Sequence, residues 1–196
     1  MARSNNIKIV DNFLEGEDFD GIVDTMVNDQ EFYFVESITG GETNQFTSYG
    51  FGCNFVTGNH PGKYQKRRNT DLIRNINAQI MMRFGVEFGF RNVVRSRLDL
   101  TTHRGKEIKL KPHVDVEGPH FTSILYFHTC GSPTIVYNET QEVARGVSEW
   151  EVSKLTEMMR VDSVSNRLFL FEGQHVHTGM CCYDTPVRLL LNSNFR

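Results

Sequence analysis

The feature that most constrains the fold is a series of short β-prone segments that fills the second half of the chain. From Phe90 onward, apolar and β-branched runs alternate with turns, and the stretch 147–157, with helix-compatible residues, is the ambiguous exception. The predicted strands cover residues 93–100, 106–116, 121–127, 134–137, 142–144, 159–164, 168–171 and 187–195. Many short strands separated by turns are typical of a sandwich or barrel, and a jelly roll is one way such strands cover their edges.

The first 90 residues instead carry two helical patterns among short strands. Apolar residues at helical spacing predict one helix over residues 17–28 and a second from Asn69 or Thr70 through Phe84, with Gly85 near its end. Residues 7–10, 31–37 and 48–56 are β-prone. We therefore predict a single domain, residues 1–196, that is mainly β with flanking helices. Its core would be a double-stranded β-helix (jelly-roll, cupin-like) over residues 91–196, and residues 1–90 would support it, with the helices packed outside.

Composition is that of an ordinary soluble globular protein, with 39% hydrophobic and 23% charged residues. A formal net charge of -3 gives no general electrostatic reason to bind nucleic acid. No apolar run is long enough to span a membrane, and the polar residues 1–6 lack the apolar segment of a signal peptide, so we expect a cytoplasmic protein. The four cysteines show no CxxC spacing and are predicted to be free thiols, Cys53, Cys130, Cys181 and Cys182.

The triplet His113-Val-Asp115 carries the clearest chemistry. In an extended strand, residues two apart point to the same side, so this imidazole and this carboxylate can face one point in space. A second imidazole, from His175 or His177, would complete two nitrogens and one oxygen on a triangular face. Such a site leaves coordination positions open and suits iron(II). The triplet alone is a weak signal, since short motifs arise by chance.

The order of these residues resembles that of the iron(II)/2-oxoglutarate-dependent oxygenases, especially the prolyl-4-hydroxylase-like and phage-encoded members. The resemblance lies in the HxD triplet, in the distal His177, and in Arg188 eleven residues later. Segments 121–126, 135–138 and 166–171 also resemble the family's strands, so the likeness covers roughly the second half of the chain. One departure precedes Thr134, where Gly131-Ser-Pro stands in place of the common Gly-Gly-Thr turn.

The resemblance implies that His113, Asp115 and His177 are the catalytic metal ligands for iron(II). It implies that Arg188 binds the distal carboxylate of 2-oxoglutarate, with the Tyr126 hydroxyl as a further donor. Iron(II), 2-oxoglutarate and O2 would be the cofactor and cosubstrates, and ascorbate is allowed. The implied reaction is hydroxylation of an unactivated C–H bond in a peptidyl, for example prolyl, or small-molecule substrate, with release of succinate and CO2. A phage-encoded member would act in the host cytoplasm.

Two ligand positions have a rival in the sequence. His175 would lie on the same side of a strand as His177, but the spacing to Arg188 favours His177. Glu117 lies two residues beyond Asp115, which matches the family position. The remaining histidines lack a partner at ligand spacing and are predicted to be structural or at the surface: His60, His103, His120 and His128. Arg97 and Leu98 belong to the strand that often lines the cosubstrate pocket in the family, and neither is assigned individually.

Two alternatives to a hydroxylase remain open at this stage. The basic run 63–68 keeps an oxygenase acting on nucleobases as one of them, although a solvated loop before a helix is the favoured interpretation of that run. The other is a non-catalytic, cupin-like metal-binding sensor or scaffold, in which the same three ligands would hold zinc or manganese without needing Arg188. The oligomeric state is not predicted.

Overall fold

The computed structural model describes residues 6–15, 18–39, 49–141 and 154–196, and over these ranges it is mainly β, as predicted. The helices are α1 (Phe19–Asp24), which continues as a short π-helix (Thr25–Asp29), and α2 (Thr70–Phe88). The strands, in chain order, are β1 (Lys8–Val10), β2 (Tyr33–Val35), β3 (Gly50–Val56), β4 (Val93–Thr102), β5 (Ile108–Lys109), β6 (Phe121–Tyr126), β7 (Cys130–Thr140), β8 (Glu157–Ser163), β9 (Arg167–Glu172), β10 (His175–Thr178), β11 (Met180–Cys181) and β12 (Val187–Phe195).

Seven strands form one large antiparallel sheet in the order β1-β9-β6-β12-β4-β3-β2. A three-stranded sheet, β10-β7-β8, and a two-stranded sheet, β11-β5, accompany it. Strands β1, β2 and β3 come from the first 90 residues and extend the large sheet at both ends. The N-terminal region therefore contributes strands to the large sheet as well as the helices that pack on it.

The large sheet is buried on both faces. One cluster joins it to the helices and includes Met26, Ile73, Ile76, Ile80, Leu189 and Leu191. Another joins it to the three-stranded sheet and includes Ile124, Val136, Val161, Phe169 and Leu190. Alternate residues of a strand point to opposite faces, so β12 sends Leu189 and Leu191 toward the helices. Arg188, Leu190 and Asn192 share the other face, as the sequence pattern predicts.

The helices differ from their predicted bounds in two places. The first helix ends in π-helical turns from Thr25. The second continues past Gly85 to Phe88 and stops at Gly89, whose φ of 77° is the left-handed conformation common at helix ends. Gly85 is required inside the helix for packing, because a Cβ there would lie 2.8 Å from the carbonyl oxygen of Phe90.

The predicted strand over residues 106–116 is mostly wrong. Only β5 is a strand, His113 forms an isolated bridge with His177, and Asp115 lies in a bend. Pro112 has no N–H to donate to a ladder, and Gly118 has a φ of 76° that turns the chain. The metal-ligand triplet is therefore held in irregular backbone rather than in a regular strand.

Other predictions have mixed outcomes. All four cysteines are free and buried. The predicted strand 142–144 and most of the ambiguous stretch 147–157 lie outside the described residues. Strand β7 begins at Cys130 and so includes the segment that departs from the family's turn, and its pairing with β8 shifts register between Cys130 and Thr134. Neither helix in the described ranges combines the length and the apolar character needed to cross a membrane.

Candidate active site

The two histidines of the predicted metal site are brought together by the backbone. The amide of His113 donates to the carbonyl of His177 and the amide of His177 donates to the carbonyl of His113, both at 2.9 Å. This bridge places the imidazole ring centroids 4.6 Å apart. His177 is fixed by β10, and His113 is the first ligand of the irregular segment that follows β5.

Asp115 completes the group. Its Oδ1 lies 3.7 Å from Nε2 of His113, and its Oδ2 lies 3.4 Å from Nε2 of His177. One ligand atom from each residue lies within 4.8 Å of both others. Ligand atoms that share an ion about 2.1 Å away are themselves about 3 to 4 Å apart. Small side-chain adjustments would therefore close the three groups around one metal ion.

The hydrogen bonds of the imidazoles indicate which nitrogens would bind metal. Nδ1 of His113 lies 3.1 Å from the carbonyl oxygen of Lys111, and Nδ1 of His177 lies 3.2 Å from that of His175. A carbonyl only accepts, so we assign the proton of each ring to Nδ1 and the lone pair to Nε2. Within the described residues, the buried Nε2 of His177 has no hydrogen-bond partner. Burial lowers the pKa of His113, which favours the neutral ring that metals require.

The Asp115 carboxylate is ionised and tightly held. Burial by itself would raise the pKa of Asp115, but the positive charge of Arg95 holds that pKa well below its usual range. Arg95 donates to Oδ1 at 3.2 Å, Asn192 donates to both oxygens at 3.2 and 3.1 Å, and Asn194 donates to Oδ2 at 3.1 Å. Two imidazole lone pairs thus face a carboxylate anion, an arrangement that is unfavourable until a cation lies between them.

Arg188 lies in the interior between the sheets and is 4% exposed. It donates one hydrogen bond, from Nη2 to Oγ1 of Thr134 at 3.2 Å. Its Nε is buried without a partner, and no acidic side chain in the described ranges forms an ion pair with it. An unpaired buried charge is costly. The site therefore suits an anionic ligand at this arginine.

Tyr126 contacts both Arg188 and the threonine that Arg188 binds. Its hydroxyl donates to the same Thr134 Oγ1 at 2.7 Å, and the Arg188 guanidinium lies 5.5 Å from the centre of its ring. Tyr126 is fully buried. Because Thr134 Oγ1 accepts from both neighbours, its own hydroxyl proton is free to be donated to a ligand.

One pocket joins these groups. It is lined by His113, His177 and Asn192 and also by Thr134 and Arg188. Gly179 forms part of its wall, and a Cβ at this position would lie 3.3 Å from Nη1 of Arg188. The absence of a side chain at Gly179 therefore leaves space beside the guanidinium for a ligand.

Several solved structures have the same architecture as this chain. The epimerase SnoN from nogalamycin biosynthesis, which is α-ketoglutarate dependent, aligns with a TM-score of 0.65 and 11% identity over 99% of this chain and 78% of its own. A prolyl hydroxylase from Trichoplax adhaerens, in complex with a hypoxia-inducible-factor peptide, gives 0.64 and 16% over 98% and 84%. A 2OG-Fe(II) oxygenase family protein from Burkholderia pseudomallei gives 0.65 and 11% over 96% and 84%.

The chain has the fold of these oxygenases. The predicted double-stranded β-helix is therefore confirmed. At identities of 11–16% the likeness establishes the architecture, and function has to be argued from the site. The sequence matches no protein-family model and no curated protein.

The rivals of the predicted ligands lie apart from the three-residue group. Nδ1 of His175 contacts the carbonyl oxygen of Tyr137 at 2.9 Å. A register shift in the pairing of β10 with β7 falls between His175 and His177, so the two do not simply share one side of a regular strand. Glu117 is exposed, and its backbone carbonyl accepts from Arg196.

The remaining predicted features also lie outside the group. Leu98 packs on the helix side of the large sheet. Among the other histidines, His103 contacts the carbonyl oxygen of Tyr183 at 2.7 Å and His120 that of Gly118 at 2.8 Å. The basic run 63–68 is a mostly exposed loop before α2, as favoured from the sequence.

Three contacts of Asp115 were not assigned from the sequence. The sequence pattern indicates no role for Arg95 or Asn194 and places Asn192 only on the same face as Arg188. The signal that could have found Arg95 and Asn194 is alternation, since they extend the odd-numbered face of β4 and the even-numbered face of β12. The register pairs Arg95 with Asn194 and Arg97 with Asn192. This pairing comes from the tertiary fold and is not visible in either segment alone.

Proposed function

We propose that this protein is an iron(II)- and 2-oxoglutarate-dependent dioxygenase that hydroxylates an unactivated C–H bond. One observation carries the proposal: a cation-seeking group and an anion-seeking group line the same pocket. The first consists of the imidazole lone pairs of His113 and His177, which line the pocket, together with the adjacent ionised carboxylate of Asp115. The second is the unpaired, buried guanidinium of Arg188. Iron(II) together with a dicarboxylate satisfies both.

The donor set fits iron(II). Two neutral imidazoles and one carboxylate on one face are the ligands of oxygenases that leave positions open for cosubstrate and oxygen. With iron(II) and 2-oxoglutarate bound, the site would supply the oxidising chemistry by which one oxygen atom of O2 enters the substrate C–H bond and the other enters succinate, with loss of CO2. Ascorbate is compatible with this chemistry as a reductant.

The chain's own residues would orient these partners. The Nδ1–H bonds of His113 and His177 to backbone carbonyls fix the direction of each ring. Asn192 and Asn194 hold the carboxylate of Asp115 in place.

Binding of 2-oxoglutarate would fall to the other end of the pocket. Arg188 and the hydroxyl of Thr134 would bind its distal carboxylate, while Tyr126 holds the threonine oxygen in position. Leu190 and Ile124 line the same pocket and would limit the access of water.

The substrate class is a peptidyl residue, for example proline, or a small molecule. A prolyl hydroxylase with a bound peptide shares the fold, which supports the first. An epimerase also shares it, so the fold does not choose between outcomes.

An anaerobic titration tests the proposal. Adding 2-oxoglutarate to the iron(II)-loaded protein should produce a weak visible charge-transfer band, and admitting O2 should convert 2-oxoglutarate into succinate. In Arg188→Ala the metal should stay bound while 2-oxoglutarate affinity falls. Arg74→Ala, which removes an exposed arginine of α2, is the matched control. A protein that binds metal, gives no band and is indifferent to Arg188→Ala would instead be a metal-binding sensor or scaffold.

A further inference from the structure

The pocket of the candidate active site contains a second pair of charged groups that the proposed chemistry does not use. Arg97 and Asp99 lie two residues apart on β4, and both line the pocket. In the register of the large sheet, Arg97 is paired with Asn192 and Asp99 with Leu190. Neighbouring strands are about 4.8 Å apart. Arg97 therefore lies next to the amide that holds Asp115, at the metal end of the pocket.

The two side chains neutralise each other's charge, but their contact leaves hydrogen-bonding capacity unfilled. Nε of Arg97 lies 2.5 Å from Oδ1 of Asp99, yet neither atom has a well-directed hydrogen bond within the residues described. Nη2 of Arg97 donates to the carbonyl oxygen of Ile38 at 2.9 Å. The side chains are only 16% and 11% exposed. The ion pair is thus buried with part of its hydrogen-bonding capacity unfilled.

Neighbouring hydroxyls on the same wall are also unfilled. The Oγ1 atoms of Thr39 and Thr101 are buried and lack a hydrogen-bond partner among the described residues, and both residues line the pocket. Buried polar groups in folded proteins are normally paired. A buried ion pair is itself a poor source of stability. Four incompletely bonded polar side chains on one wall are better explained as a surface that is completed by a ligand.

We infer that this wall binds a small zwitterion, the free α-amino acid that serves as the substrate, with its carboxylate on Arg97 and its ammonium group on Asp99. The inference rests on the proposed function, whose substrate it names. A simple anion would be repelled by Asp99, and a simple cation would be repelled by Arg97. A residue inside a peptide carries neither charge, so it would offer a charged partner to neither group. A ligand that carries both charges on substituents of one carbon atom matches the pair.

Equilibrium binding measured by calorimetry tests this inference without depending on turnover. Each of the common L-amino acids would be titrated into the protein beside its N-acetyl derivative, which lacks the ammonium charge, and its methyl ester, which lacks the carboxylate. At least one free amino acid should bind, and both of its blocked derivatives should bind at least about tenfold more weakly, the loss expected for one charge-assisted contact.

Substitutions of Arg97 and Asp99 identify which residue binds which charge of the ligand. Asp99→Asn keeps the shape of the side chain and should remove the preference for the free amino acid over its N-acetyl derivative. The double variant Arg97→Met with Asp99→Leu replaces the ion pair by apolar groups, a change that folded proteins usually tolerate, and should not bind the amino acid. Asp71→Asn, on the exposed surface of α2, should behave as wild type.

Two results would overturn the inference. One is a panel in which no free amino acid binds better than its blocked derivatives. The other is an Asp99→Asn variant that keeps the wild-type preference. The iron(II)/2-oxoglutarate band measured on the same samples separates this from the proposed function. A band without amino-acid preference overturns the inference alone, whereas amino-acid preference without a band overturns the oxygenase and leaves a zwitterion-binding site.

Discussion

Replacing Arg188 with methionine separates a ligand-binding arginine from a structural one. Arg188 is 4% exposed, donates one hydrogen bond, to Thr134, and has no acidic partner in the described part of the chain. A hydrogen bond to a charged group contributes about 1.5–3 kcal/mol, whereas desolvating an unpaired ion costs several kcal/mol. Methionine keeps much of the volume and removes the charge. The free energy of unfolding of the metal-free protein should therefore stay within about 1 kcal/mol of wild type or rise.

The same substitution should weaken the binding of 2-oxoglutarate strongly. Loss of a charge-assisted contact with a carboxylate, about 2–3 kcal/mol, corresponds to a rise in Kd of roughly 30-fold to 150-fold. Anaerobic titration of the iron(II)-loaded protein gives Kd, urea denaturation gives the free energy of unfolding, and Arg74→Met is the control on an exposed helix surface. The reasoning is refuted if the Arg188 variant loses more than about 3 kcal/mol of stability but binds 2-oxoglutarate as wild type does.

Three further predictions concern support of the site and of the fold. Tyr126→Phe should weaken 2-oxoglutarate binding less than Thr134→Val, because the tyrosine acts through the threonine hydroxyl; an equal loss in anaerobic titrations would mean that the tyrosine contacts the ligand. Gly85→Ala should lower the free energy of unfolding by roughly 1–3 kcal/mol, since its Cβ would meet a backbone oxygen at 2.8 Å. Gly58→Ala is the control, because a Cβ there would enter open space, and it should not lower the free energy of unfolding. Similar urea midpoints for the two variants would contradict this prediction. Asp11→Asn should cost at most about 1 kcal/mol at neutral pH. Its hydrogen bond with an arginine of β9 lowers the pKa of Asp11, so this contribution is present above the unfolded value of about 3.9 and is lost as pH falls through the lowered pKa. A difference from wild type that persists at pH values below that folded-state pKa would argue against the ion pair as its cause.

Most strands of the second half are predictable because alternation and burial act within each segment. On β12, Leu189 and Leu191 alternate with Arg188 and Asn192, and the sheet indeed separates them onto two faces. The same reasoning fails between Lys106 and Val116, where Pro112 interrupts the ladder and the positive-φ glycines Gly105 and Gly118 flank the segment. It also does not delimit β10, whose four residues are mostly polar, or β11, which is only two residues long.

The candidate site shows the same limit at the level of side chains. The order of the motifs predicts His113, Asp115 and His177 as metal ligands, and the structure places their ligand atoms together. The network around Asp115 depends on which strands lie side by side, and only the folded sheet pairs Arg95 with Asn194. The buried polar groups that lack partners beside β4 could not be predicted either, since hydrogen bonds are not visible in sequence patterns.

The central claim is tested most directly by measuring iron(II) binding to two variants whose substituted histidines lie two residues apart. We expect anaerobic titration of the wild-type protein to show one iron(II) per chain. His175→Gln should keep this stoichiometry and affinity, because His175 contacts a backbone carbonyl outside the three-residue group. His177→Gln should lose at least the 10- to 100-fold in affinity that is typical of removing even an outer-shell partner. Wild-type iron(II) affinity in His177→Gln, or loss of binding in His175→Gln, would contradict the site described above.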